Sequence, residues 1–132
     1  MFIFAECNRE MAVHIISKKA VNKYIETNPR YGPSLRAWTA LVEKETWTSP
    51  QDIKASFGAG ADILGKKDNK PTTLPAERAI VDVRGNAIRV IFKYSFHPTL
   101  KISRIYIKWI GTHAEYTKLC AKKQQYDVDD FK

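Results

Sequence analysis

The sequence predicts an α+β domain: an antiparallel-rich, twisted sheet with N-terminal helices packed on one face. Three observations point there. Helical spacing of apolar residues is confined to the first half of the chain, and strict alternation fills most of residues 79–110. The pair Gly85-Asn86 joins two alternating runs at the spacing of a tight hairpin. Most of the helical pattern thus precedes a run of hairpin-spaced strands, which suits an α+β fold.

The 132 residues, 44% of them hydrophobic, suit one domain with its own core. A net charge of +8 points to nucleic acid or an acidic protein as partner. No apolar run reaches the ~18–20 residues that a membrane span needs, so no membrane association is expected. The N-terminus has no basic region ahead of its apolar residues and reads as no signal peptide. Cys7 and Cys120 lie far apart without metal-like spacing, which fits a reduced, cytoplasmic location.

Residues 1–10 read as an N-terminal extension, either disordered or adding Phe2 to Phe4 to the core. The domain is placed at 11–119 and a polar tail at 120–132. Residues 12–16 alternate as a short strand. Ser17 can cap a helix over 18–27 with Ala20, Val21, Tyr24 and Ile25 on one side, stopped by Asn28-Pro29. A second helix starts near Pro33 with the stripe Leu35, Trp38, Leu41 and Val42, forming a helical hairpin with the first. Ser49-Pro50-Gln51-Asp52 starts a third, burying Ile53 and Phe57 and ending at Gly58. Residues 58–76 read as a long loop with a short turn or strand near 62–64. Its Lys66, Lys67 and Lys70 either contact phosphate or belong to a flexible spacer.

The remainder is β. Ala79, Val81 and Val83 face inward and Ile80, Asp82 and Arg84 outward. Ile88, Val90, Phe92, Tyr94 and Phe96 face inward and Arg89, Ile91, Lys93 and Ser95 outward. A last strand puts Ile105, Ile107 and Trp109 in the core and Arg104, Tyr106 and Lys108 outside, until Gly111 breaks it. The registers agree if Asp82 faces Arg89, Phe96 faces Ser103, Lys93 faces Tyr106 and Ile91 faces Lys108. One sheet surface then carries Arg84, Arg89, Lys93, Arg104, Tyr106 and Lys108. Thr112 and Glu115 have capping-box spacing, and the helix they open presents His113 and Tyr116 on one face, with Lys118 following. The tail ending in YDVDDFK is either disordered or an acidic segment folded over the basic surface.

Metal chemistry finds no support, since His14, His97 and His113 lack ligand spacing such as HExxH. The segment from Gly58 lacks the GxxxxGK[ST] phosphate loop, and no carboxylate pair suits glycoside hydrolysis. RNA cleavage fits what remains. A 2′-hydroxyl must lose a proton, a 5′-oxygen must gain one, and the phosphate gathers negative charge, which His, Tyr and Arg can serve without a metal or other cofactor. Each residue also has a plainer reading: Arg89 pairing with Asp82 across the strand, His113 as a turn residue, Tyr106 as an ordinary strand position.

The run Gly85-Asn86-x-x-Arg89-Val90, the block RIYIKWIGTHAEY, VHIIS near the start and LRAW in the second helix resemble the HigB toxins of the RelE/ParE-like superfamily. The resemblance covers about residues 11–119. It implies an mRNA interferase of a type II toxin–antitoxin system that cuts mRNA on the translating ribosome. It also implies neutralisation by a HigA-type helix-turn-helix antitoxin, through whose complex alone operator DNA is met. Two rival readings are a toxin of the same fold that poisons DNA gyrase and a non-catalytic RNA-binding module. On the first reading Arg89, Lys93, His113 and Tyr116 are catalytic candidates, while Arg84, Arg104, Tyr106, Lys108 and Lys118 bind RNA. The chain departs from the family pattern at Thr117, where an aspartate is usual, and at Ile88, where an aromatic is common.

Overall fold

The structure, a computed structural model, describes residues 13–16, 18–64, 78–84, 87–97 and 102–131. The expected extension over 1–10, the lysines at 66, 67 and 70, and the turn residues Gly85-Asn86 lie outside the described residues. In order the chain forms β1 (Val13–Ile16), α1 (Lys18–Thr27), a 3-10 turn (Pro29–Tyr31), α2 (Gly32–Glu43), α3 (Pro50–Phe57), a second 3-10 turn (Gly58–Gly60), β2 (Ala61–Leu64), β3 (Arg78–Val83), β4 (Ile88–His97), β5 (Ile102–Thr112) and α4 (His113–Ala121). The helices and strands make an α+β fold around a five-stranded mixed sheet of order β1-β5-β4-β3-β2. β1 runs parallel to β5, and the other three pairings are antiparallel.

The first three helices cover one face of the sheet. Their buried Ala20, Val21, Ile25, Leu35, Trp38, Val42 and Ile53 meet Val81, Val90, Phe92, Ile105 and Ile107 in one core. Phe92 is its centre: Trp47 stacks on it at 6.1 Å between ring centroids and Trp38 tilts against it at 6.2 Å. Trp47 hangs on the connection after α2, where no periodicity marks it, and satisfies its indole N–H by donating to Ser56 Oγ at 2.8 Å. Leu41 does not join the α2 stripe; it is 50% exposed. Leu35, Trp38 and Val42 already face the sheet, and Leu41 lies 100° of helical rotation from Val42, beyond the edge of that face.

Asp52, rather than Ser49, closes the start of α3. The Thr48 N–H and hydroxyl both donate to Asp52 Oδ2, at 2.8 and 3.1 Å, whereas the Ser49 side chain makes no capping bond. The Thr48 N–H bond is the main reason the Asp52 carboxyl is held below its ordinary range. Gly58 ends the helix at φ +58, where a side chain would be strained. The segment then turns into β2 at the sheet edge, beside β3.

The register agrees with expectation at Asp82↔Arg89, Phe96↔Ser103 and Lys93↔Tyr106. It departs at Lys108. A bulge pairs Phe92 with Ile107 and Ile91 with Trp109, so Lys108 is the extra residue on β5. Inserting one residue reverses the facing of everything after it. Trp109 therefore leaves the helix-covered core and sits on the opposite sheet face in a second cluster with Ile80, Ile91 and Leu119. That face is not an open basic surface: its middle is apolar and covered by α4. Gly111 does not end the strand, which runs on to Thr112. Among the described residues, no helix is long and apolar enough to cross a membrane.

Candidate functional site

The site is assembled where β5 passes into α4. Gly111 is needed there because a Cβ would collide with the Trp109 indole, which leans forward along its own strand. Thr112 then caps α4 in a complete capping box. Its N–H donates to Glu115 Oε1 at 2.7 Å, and its hydroxyl accepts from the Glu115 N–H at 3.2 Å. The cap fixes the helix direction and lays Tyr116 on the Trp109 indole, 6.0 Å between centroids.

Arg89 reaches the same spot from β4. Its guanidinium carbon lies 4.8 Å from the Tyr116 ring centroid, a cation–π contact. Its Nε lies 2.9 Å from Asp82 Oδ1 on the paired strand, without the alignment of a hydrogen bond. Arg89 thus pairs with Asp82, its plainer reading, and also faces Tyr116. Burial, helped by a hydrogen bond with Cys120, drives the Tyr116 pKa far above its ordinary value, and the Arg89 charge opposes this only partly. Tyr116 is a protonated phenol, a donor rather than a base. His113, the first residue of α4, is exposed to solvent. The Thr117 hydroxyl donates to the His113 carbonyl at 3.1 Å, so this side chain is turned to its own helix backbone.

Lys93 does not join this group. It lies four residues from Arg89 on one strand, about 13 Å by the strand rise, and Ile91, Trp109 and Leu119 fill the space between. The expected continuous basic face is instead two places. The first is Arg89, Tyr116 and His113. The second is a groove of about 590 Å³ lined by Lys93, Tyr94, Ser95, Phe96, Tyr106 and Lys108. Arg104 is exposed one row beyond the groove, between His14 of β1 and Ser95 of β4. Lys118 turns away and lines a different groove, of about 340 Å³, with Tyr24, Asn28 and Lys122 between α1 and α4. Arg84 also leaves the sheet face. At φ +57 it sits with its guanidinium carbon 5.8 Å from the Tyr31 ring, on which Arg30 lies at 4.8 Å.

Arg78 lies next to the second place and was missed. Its alternation with Ile80 and Asp82 could have found it, and it lies opposite Lys93. Among the described residues no group of three or more His, Cys, Asp or Glu side chains is placed to hold a metal ion.

Two basic places divided by an apolar middle, under a capped C-terminal helix bearing His and Tyr, lie within residues 32–119, and that span matches a family described as the RelE-like toxic component of a toxin–antitoxin system. The family is HigB_toxin; the match takes in more than half of the chain, which belongs to it. The matched span holds every candidate residue from Arg84 to Lys118. No curated protein matches the chain.

Proposed function

We propose that this toxin is a metal-independent endoribonuclease that cuts mRNA on the ribosome and is held inactive by a HigA-type antitoxin, whose helix-turn-helix fold carries the complex to operator DNA. The observation that carries the reading is the contact of Tyr116 with Trp109 on one side and with Arg89 through its ring, which sets a protonated phenol beside a guanidinium. In the proposed step the His113 imidazole takes the proton of the 2′-hydroxyl, and that oxygen attacks the adjacent phosphorus. The bond to the 5′-oxygen breaks as Tyr116 protonates it, leaving a 2′,3′-cyclic phosphate and a free 5′-hydroxyl. Arg89 stabilises the charge that gathers on the phosphate oxygens. The neighbouring nucleotide would lie in the second groove, its phosphate at Lys93 and Lys108 and its base on Tyr106. Arg104 would take a phosphate further along the strand.

Cleavage of a translated message in a purified translation system tests the roles. Tyr116→Phe and His113→Ala are expected to lower the cleavage rate by about 10²-fold or more each. Tyr106→Ala and Lys93→Ala are expected to act mainly on substrate affinity. Full activity of Tyr116→Phe would remove the acid from the scheme.

A further inference from the structure

After α4 the chain does not leave the domain. Residues 124–131 fold back across the sheet face that carries Arg78 and Lys108. The Arg78 Nη1 donates to the Val128 carbonyl at 2.7 Å and lies 3.4 Å from the Gln125 carbonyl. Lys108 Nζ lies 3.3 Å from Asp129 Oδ1, and the Asp130 N–H donates to the Lys108 carbonyl at 2.9 Å. Val128 packs, half-buried, against the cluster of Ile80, Ile91, Trp109 and Leu119. An acidic segment thus occupies cations that border the groove of Lys93 and Tyr106.

The partners it gives those cations can be exchanged for RNA. Arg78 donates to backbone carbonyls with the Asp129 and Asp127 charges near it, and Lys108 Nζ lies 3.3 Å from Asp129 Oδ1. A phosphate would offer each cation a charged oxygen in charge-assisted geometry. The segment has no helix or strand of its own; backbone bonds, the Arg78 and Lys108 contacts and the half-buried Val128 and Phe131 hold it. We propose that residues 124–131 are an internal occupant of an RNA-phosphate surface formed by Arg78 and Lys108, and that RNA and this segment compete for it. The proposal rests on the endoribonuclease reading and extends its substrate surface to Arg78.

The test is fluorescence anisotropy of a short 2′-O-methyl oligoribonucleotide, which cannot be cleaved, titrated with the full-length protein at low salt. Asp129→Asn is expected to bind about two- to five-fold more tightly than wild type, the effect of one partly exposed ion pair. Asp129→Glu is expected to stay at the wild-type affinity, and the gain should shrink in high salt. Glu26→Gln makes the same change in net charge on exposed α1 surface and is expected to have no comparable effect. Wild-type affinity in Asp129→Asn, or an equal gain in Glu26→Gln, overturns the competition while leaving the nuclease reading intact. Absence of RNA binding by wild type and variants alike also overturns the competition, while loss of cleavage in the translation system is what overturns the nuclease reading.

Discussion

Gly111→Ala is the substitution that most directly probes how the site is built. The new methyl would collide with the Trp109 indole and come 3.0 Å from Glu115 Oε1. Neither neighbour can give way cheaply. The indole is 7% exposed and packed among Ile80, Ile91 and Leu119, and the Glu115 carboxylate is bonded to the Thr112 N–H at 2.7 Å. Overpacking of this kind costs about 1–3 kcal/mol, and a disturbed N-cap adds about 0.5–1 kcal/mol. The expected total, about 1.5–4 kcal/mol, corresponds to a fall in Tm of roughly 5–15 °C for a domain of this size. Urea unfolding by tryptophan fluorescence measures the loss, and near-ultraviolet circular dichroism reports the indole itself. Because Trp109 is the floor under Tyr116, cleavage activity should fall below what the folded fraction accounts for. A variant within about 0.5 kcal/mol of wild type, with an unchanged indole signal, would refute the packing described for this junction.

Three further outcomes are expected. Leu35→Ala should cost about 2–5 kcal/mol in urea unfolding because Leu35 is fully buried, whereas Leu41→Ser should stay within about 0.5 kcal/mol because Leu41 lies outside the core. Burial pushes the Tyr24 phenol up to about 12, and Tyr116 is raised by the same cause. In the unfolded chain both ionise near 10, while in the folded chain they keep their protons, so stability present below about pH 10 should be lost as pH rises toward 12. Tyr24→Phe should make that alkaline decline shallower, and an unchanged decline would remove Tyr24 from the explanation. Asp82→Asn should free Arg89 from its carboxylate and leave its contact with Tyr116, so cleavage should persist; a loss as large as that of Arg89→Ala would make Asp82 part of the chemistry.

The sheet was legible where the pattern of one strand could be checked against its neighbour. Asp82 opposite Arg89 followed from alternation plus a two-residue turn, and Lys93 opposite Tyr106 from alternation with Phe96 set against Ser103. The bulge was hidden because β5 alternates on paper straight through Lys108; only its partner reveals that one residue is extra. That single insertion moved Trp109 from the expected core to the floor of the site. The parallel pairing of β1 with β5 was equally invisible, since it joins residues at opposite ends of the chain and no local signal marks it. Of the site, the capping box and the His113/Tyr116 helix were written in Thr112 and Glu115. The division between Arg89 and Lys93 was not, because it depends on what α4 buries between them.

The central claim is that Arg89, Tyr116 and His113 cut RNA, and ribosome-stage cleavage mapping tests it most directly. Purified toxin is added to a translation reaction, and new 5′ ends on the message are located by primer extension, with wild type and Arg89→Ala side by side. Wild type is expected to give discrete cuts only when ribosomes are translating, and Arg89→Ala to reduce them by about 10²-fold or more. Intact message with wild-type toxin, together with growth arrest and DNA breaks in cells that express it, would contradict the account and place the toxin on DNA gyrase instead.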